Sequence, residues 1–508
     1  MYLLEEKIRQ LGPRLETLSA GSRDLPERQS TLRNAIAWSY DRLRADEQAV
    51  FAHLGVFLGG CTVEAAQAVA GEGLPVPRLL EALVEASLVQ SRTTENETRF
   101  TLLETIHEFA LEQLTARGET GAARQRHARF FAGLAEAAGP QLRTPQMGQW
   151  MDRLEHELDN VRAAVRWFSF HATGPGLVLM SRLARFWQVR GHMREAQAWL
   201  EELLNHAGNP GNPAPSLEER ARGAHVAGSL SLRLHDYTKA QGWFEESLQL
   251  YSQRGDTDNT GHVLSNLGIV ALDQGRYAEA ERLFRESQEV STSAGNTWSV
   301  ASTTNNLGEA LRLQHRLEEA RACFADSAAL YQQTGDISSA ASAMNNMATI
   351  VRQLGDYAEA RRLCEESYQV FADLGDKHRM AYARQSLAQA EQAQGEIELA
   401  RRHYREAARL FFDVELQANT LMTLIQLSNL EFECGSWPAD RLVLLLSRTA
   451  AFIQALEISL EPEGQLLYDQ LLAKTRGAMS AAVFQTAWQR GQTLTLEQAV
   501  ALALRDDD

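Results

Sequence analysis

Three asparagines recur at an interval of forty residues, Asn266, Asn306 and Asn346, with Asn305 and Asn345 beside two of them, and Arg312 and Arg352 repeat the same interval. A carboxamide donates and accepts at once, which matches the two hydrogen-bonding needs of a peptide group in another chain. A guanidinium is a planar fork that holds a carboxylate through two parallel bonds, so the arginines suit acidic side chains or a C-terminal carboxylate. A competing reading needs no ligand: the asparagines hydrogen-bond between neighbouring helices, and the arginines pair with local glutamates such as Glu309. Catalysis has less support. His53, His107, His127 and His156 fall on expected helices without a nucleophile and acid at motif spacing, and neither HExxH nor GxSxG occurs. Cys61, Cys323, Cys364 and Cys434 lie far apart with no CxxC pair, so they read as buried helix residues and not as a zinc site or disulfide framework. No enzymatic activity, cofactor or metal is expected.

The elements that must position these residues are set by a repeat. Ser265-Asn266-Leu267-Gly268, Asn305-Asn306-Leu307-Gly308, Asn345-Asn346-Met347-Ala348 and Gln385-Ser386-Leu387-Ala388 are successive occurrences at a period of 40, with His225-Val226-Ala227-Gly228 a weaker one before them. Seven residues after each small residue stands Gly275, Gly355 or Gly395, replaced by His235 and His315 in two units. An apolar residue follows two positions on (Tyr237, Tyr277, Leu317, Tyr357, Ile397), then an alanine three further (Ala240, Ala280, Ala320, Ala360, Ala400). Apolar residues recur at three and four, so each unit is two helices. Gly275 sits where the first helix must end left-handed, and the small residues at 268, 308, 348 and 388 let the two helices approach closely. Gly255-Asp256, Gly295-Asn296, Gly335-Asp336 and Gly375-Asp376 stop the second helix and cap the next.

This pattern resembles the tetratricopeptide repeat (TPR), with a period of 40 where the common unit is about 34. One hairpin cannot bury its apolar face alone, so the units are expected to stack into an α-α superhelix with a concave groove. The register then faces Asn266, Asn306 and Asn346 into the groove, with Asn305, Asn345, Arg312 and Arg352 at adjacent inward positions. The resemblance implies that asparagine at the 266, 306 and 346 position holds a bound peptide's backbone. A degenerate sixth unit is expected around Arg190-Gly191-His192-Met193, set apart by the breaker from Gly208 to Pro215.

Residues 31–57 read as two helices, with further helices near 62–71 and 77–89. Leu88 to Arg92, the polar Thr93 to Glu97, and Arg99 to Leu103 make a β-hairpin signal with a helix after it. Helices followed by a hairpin predict a winged helix. Leu25-Pro26-Glu27-Arg28-Gln29, Trp38-Ser39-Tyr40 and Leu102-Leu103-Glu104-Thr105-Ile106 resemble bacterial STAND regulators, in which these segments follow an NB-ARC ATPase. Ala487-Trp488 and Leu494-Thr495-Leu496-Glu497 are similar to that family's C-terminal end. No lysine is preceded by glycine, so the phosphate-binding GxxxxGK[ST] loop does not occur, and the resemblance implies a piece of a longer chain or a split gene. The Met-His-Asp triplet that senses nucleotide in related proteins corresponds to Leu102, Leu103 and Glu104, without its histidine.

The expected organisation is therefore mainly all-α. Residues 1–28 form a remnant of or linker from the NB-ARC region, 29–118 a small winged-helix domain with one hairpin, 119–205 a helical connector, 218–430 the TPR superhelix and 437–508 a helical cap. The balance of 50 basic against 66 acidic residues, −16, opposes polyanionic partners, and the expected recognition helix from Val76 to Ala86 has one arginine against two glutamates. Nucleic acid is thus disfavoured. No apolar run is long enough to span a membrane, so a cytoplasmic protein is expected. The expected function is a protein-interaction and sensor module of a STAND-type regulator. It takes a protein or peptide ligand in the groove, works with an upstream NB-ARC ATPase in cis or in trans, and oligomerises on activation. The alternatives are a DNA-binding regulator acting through the winged helix and a passive TPR scaffold.

Overall fold

A computed structural model describes residues 32–71, 73–93, 97–208, 212–456 and 462–505. The expected NB-ARC remnant and the Leu25–Gln29 segment lie outside the described residues. Twenty-six helices and one two-stranded sheet are present among the described residues, and the chain divides into compact units at Asp256.

The first unit opens with helices α1 (Leu32–Asp41), α2 (Ala45–Leu54), α3 (Val63–Ala70) and α4 (Val76–Glu85). Strands β1 (Gln90–Thr93) and β2 (Thr98–Thr101) pair antiparallel, with Gln90 opposite Thr101, and α5 (Glu104–Ala116) follows. The helices-then-hairpin order expected from the sequence is present. Tyr40, Phe51 and Phe109 pack ring against ring at 5.5 to 6.3 Å and close this core. Helices α6 (Thr120–Gln141), α7 (Met147–His156), α8 (Leu158–His171), α9 (Thr173–Arg182), α10 (Ala184–Val189) and α11 (Met193–His206) follow. The hairpin is tied to them by Arg99, whose fork donates to buried Glu157 at 2.5 and 3.0 Å. Asn160 strengthens the joint, donating to the Gly60 carbonyl at 2.9 Å and accepting the Leu58 amide at 2.9 Å. The unit ends with the first repeat hairpin, α12 (Leu217–Arg233) and α13 (Tyr237–Arg254).

The second unit continues the period: α14 (Thr257–Asp273) with α15 (Tyr277–Ser293), α16 (Thr297–Leu313) with α17 (Leu317–Thr334), α18 (Ile337–Gln353) with α19 (Tyr357–Asp373), and α20 (Lys377–Gln394) with α21 (Ile397–Asp413). A further first helix, α22 (Gln417–Glu433), leads into α23 (Ala439–Leu456), α24 (Pro462–Gly477), α25 (Ala481–Gln492) and α26 (Leu496–Ala503). Within the second unit each second helix packs on the first helix that follows it, giving the α-α stacking of TPR type.

The punctuation follows the sequence. Asn296, Asp336 and Asp376 cap α16, α18 and α20 by accepting the amides of Ser299, Ser339 and Arg379 at 2.9 to 3.0 Å. Gly275 ends α14 with φ +74°, and His315, at the matching position, is held at φ +60° in the same left-handed region. In the three hairpins that keep glycine a phenylalanine lies where a Cβ would stand: an added Cβ on Gly228 would sit 2.7 Å from Phe244, one on Gly268 2.5 Å from Phe284, and one on Gly308 2.9 Å from Phe324. Where alanine replaces glycine at 348, the facing residue shrinks to Cys364. Buried serines add a clasp, since Ser247, Ser287 and Ser327 donate to the carbonyls of Ala221, Gly261 and Ala301 at 2.7 to 2.9 Å.

Candidate functional site

The first helices of the second unit present one face to a cleft of about 970 Å³. Four register positions of the repeat supply much of its lining. Glu309, Thr349, Gln389 and Asn429 share one, Arg312, Arg352 and Gln392 the next, Asn346 and Gln426 a third, and Tyr382 and Met422 the last. Spacings of three and four along α20 and α22 bring these side chains to a single stripe of each helix. Away from it, Ala381 and Ala388 are buried against α21 of the same hairpin, and Leu424 is buried in the same cluster as Ala388. The lining is thus dominated by carboxamides, each able to donate and accept.

Several of those amides already form a network. Gln385 donates to Gln426 Oε1 at 2.9 Å and Thr423 Oγ1 at 3.2 Å, and Asn419 donates to the Tyr382 hydroxyl at 3.0 Å. The buried Tyr404 hydroxyl donates to Gln392 Oε1 at 2.9 Å, and burial pushes this phenol well above its ordinary range. Arg312 is closed by Glu309 through bonds of 2.9 and 2.6 Å. Arg352 is half-buried and its guanidinium makes no hydrogen bond or ion pair among the described residues; Thr349 stands where a glutamate closes Arg312. It is a guanidinium presented to the cleft.

Of the residues expected from sequence, Glu309, Arg312, Asn346 and Arg352 come together in this cleft. Asn266, Asn305, Asn306 and Asn345 are half-buried on α14, α16 and α18 but are not among its lining residues. Asn346 donates to Asn305 Oδ1 at 3.1 Å and Asn306 to Ser265 Oγ at 3.4 Å, so the inter-helix bonding kept open as the alternative is formed at these two. The Oδ1 atom of Asn345 is buried without a partner among the described residues. Sequence reasoning missed Tyr382, Gln385, Gln389, Gln392, Asn419, Gln426 and Asn429. The signal lay in extending the same register: Gln385 is two repeats beyond Asn305, and Gln426 two beyond Asn346.

Among the described residues no group of three or more histidine, cysteine or acidic side chains is placed to hold a metal ion, and no helix is long and apolar enough to cross a membrane.

Family descriptions of the tetratricopeptide repeat match residues 219–293, 300–334 and 339–411. Proteins named as HTH-type transcriptional regulators in Mycobacterium tuberculosis and Mycobacterium bovis are 36% identical over 196 residues. That match covers 37% of this chain and 22% of each relative, so the chain spans less than a quarter of the length of these curated relatives. The crystal structure of a Signal Transduction ATPase with Numerous Domains (STAND) protein with a tetratricopeptide repeat sensor, from Pyrococcus horikoshii, is similar with a TM-score of 0.53. The identity is 14%, over 92% of this chain and 68% of that one. The apo form of the quorum sensor NprR from B. thuringiensis gives 0.50 at 14% identity, over 72% of this chain and 92% of that one. At these identities the structural likeness is one of fold.

Proposed function

We infer that the repeat array is the ligand-sensing module of a STAND-type signalling regulator, holding an extended peptide or protein segment in the amide-lined cleft with a carboxylate of that segment on Arg352. The observation that carries the reading is Arg352 itself. A partly buried guanidinium without a carboxylate partner forgoes the charge-assisted bonds that its neighbour Arg312 makes, and a ligand acid would supply them. The surrounding carboxamides suit a peptide backbone, whose every residue presents one donor and one acceptor.

On this reading the chain is not an enzyme, and residues 32–118 are a winged helix that packs against an NB-ARC ATPase supplied in cis or in trans. Ligand in the cleft then shifts a closed state towards an open, oligomerising one, by the difference in its affinity for the two. The DNA-binding alternative is opposed by the exposed side of α4, where Arg78 stands beside Glu81 and Glu85.

Fluorescence anisotropy with a randomised set of labelled peptides, each prepared with a free and with an amidated C-terminus, tests the reading on the full chain. Peptides selected by the wild type should lose tenfold or more in affinity with Arg352→Ala. If Arg352→Ala and Asn346→Ala bind the selected peptides as the wild type does, the cleft is not the sensor.

A further inference from the structure

The first unit contains a second cavity, of about 590 Å³, between α5, α6, α8 and α11. Its wall is largely apolar and aromatic, with Trp167, Phe170, Trp199, Val56 and Leu111 among the lining side chains. Phe170 is 55% exposed, a large side chain left at the mouth without cover. The charged lining has one sign. Arg124, Arg162 and Arg166 border the cavity, and no aspartate or glutamate does, in a chain of net charge −16. Arg162 is held by Asp159 at 2.8 Å and by Glu195 at 2.7 and 2.8 Å. Arg124 and Arg166 make no side-chain hydrogen bond or ion pair among the described residues. His107 also lines the cavity, and its Nε2 is buried with no partner among the described residues.

An apolar box with two unpartnered guanidinium groups at its edge has a specific chemical complement. We propose that this cavity binds a small amphipathic carboxylate, its aryl or acyl body lying against Trp167, Phe170 and Trp199 and its carboxylate held by Arg124 and Arg166. The volume falls within the range of small-molecule sites, roughly 300 to 1,000 Å³. Guanidinium bonds to carboxylate are short and charge-assisted, and they fix the head while burial of the body supplies affinity without direction. The site is independent of the repeat cleft, and its occupant is a small molecule where the cleft takes a chain.

The test is calorimetric titration of the full chain with laurate, with indole-3-acetate, and with dodecanol as the uncharged counterpart. At least one carboxylate should bind at one per chain and quench the fluorescence of the lining tryptophans, with laurate and indole-3-acetate separating an acyl from an aryl ligand. Arg124→Gln with Arg166→Gln should weaken that carboxylate at least tenfold at unchanged melting temperature, and Ala163→Trp, which fills the cavity from its wall, should remove binding. Dodecanol binding as tightly as laurate, a double variant that binds as the wild type does, or the absence of saturable binding by either carboxylate overturns the proposal.

Discussion

At Arg312 the guanidinium is closed by a glutamate one helical turn before it, while at Arg352 the same position one repeat on is Thr349. The two arginines therefore answer different questions when removed. Arg352→Ala should leave thermal stability within about 0.5 kcal/mol of wild type, as for a side chain without bonds to lose, and act on ligand affinity. Arg312→Ala breaks a partly exposed pair worth about 1 kcal/mol or less, so thermal melting of the two variants beside their binding separates structural from ligand roles. A second prediction concerns His127, which is buried and bonds Asn160 Oδ1 through Nε2 at 3.2 Å. Desolvation lowers its pKa to about 4, with the Asn160 bond opposing. An unfolded histidine titrates near 6.5, so the folded form binds fewer protons between those values. Its contribution to stability is complete above about pH 6.5 and falls as pH drops towards 4, by up to about 1.4 kcal/mol per pH unit. Melting temperatures from pH 7.5 to 4.5 should decline, and His127→Gln should flatten the decline; equal slopes would place the titration elsewhere.

At the scale of the hairpin, the glycine-phenylalanine contact sets how close two helices come. Gly308→Ala forces Phe324 to shift from within 3 Å of the new methyl, and overpacking of this kind costs about 1 to 3 kcal/mol. The molecule already contains the compensated form, Ala348 against Cys364. Gly308→Ala combined with Phe324→Cys should therefore destabilise by less than the sum of the single changes, and chemical denaturation of the four proteins measures the coupling. Strict additivity would mean that the two positions do not meet. The small residues at 268, 308, 348 and 388 were legible in the sequence because they recur at one interval, as were the caps and the left-handed stops. The phenylalanines that face the glycines of this interval, Phe284 against Gly268 and Phe324 against Gly308, were not read, since an aromatic within an amphipathic helix looks like any other core residue. The cleft was legible only in its first half: its chemistry passes from asparagine to glutamine at 385 and 426, so a search for a repeated residue type stops where a search for a repeated function would continue.

For the whole molecule, the period announced the repeat, while the cavity of the first unit could not be read at all. Arg162, Arg166 and Phe170 stand four apart on α8, but nothing in the sequence relates them to Arg124 on α6 or Trp199 on α11, and only packing brings these helices to one cavity. Charge acts at this scale too. With −16 overall and two exposed glutamates on α4, the full chain should not retain random duplex DNA in a gel shift at moderate salt, and retention there would restore the DNA-binding alternative.

The serine clasp carries a consequence for how the chain is made. Ser247, Ser287 and Ser327 each reach a carbonyl only 26 residues earlier, so the bond that ties a hairpin involves nothing outside that hairpin. Contacts this local close quickly and do not wait for distant sequence. On the ribosome each hairpin can close its clasp as soon as its second helix has left the exit tunnel, and the apolar face it leaves open is buried when the next hairpin docks.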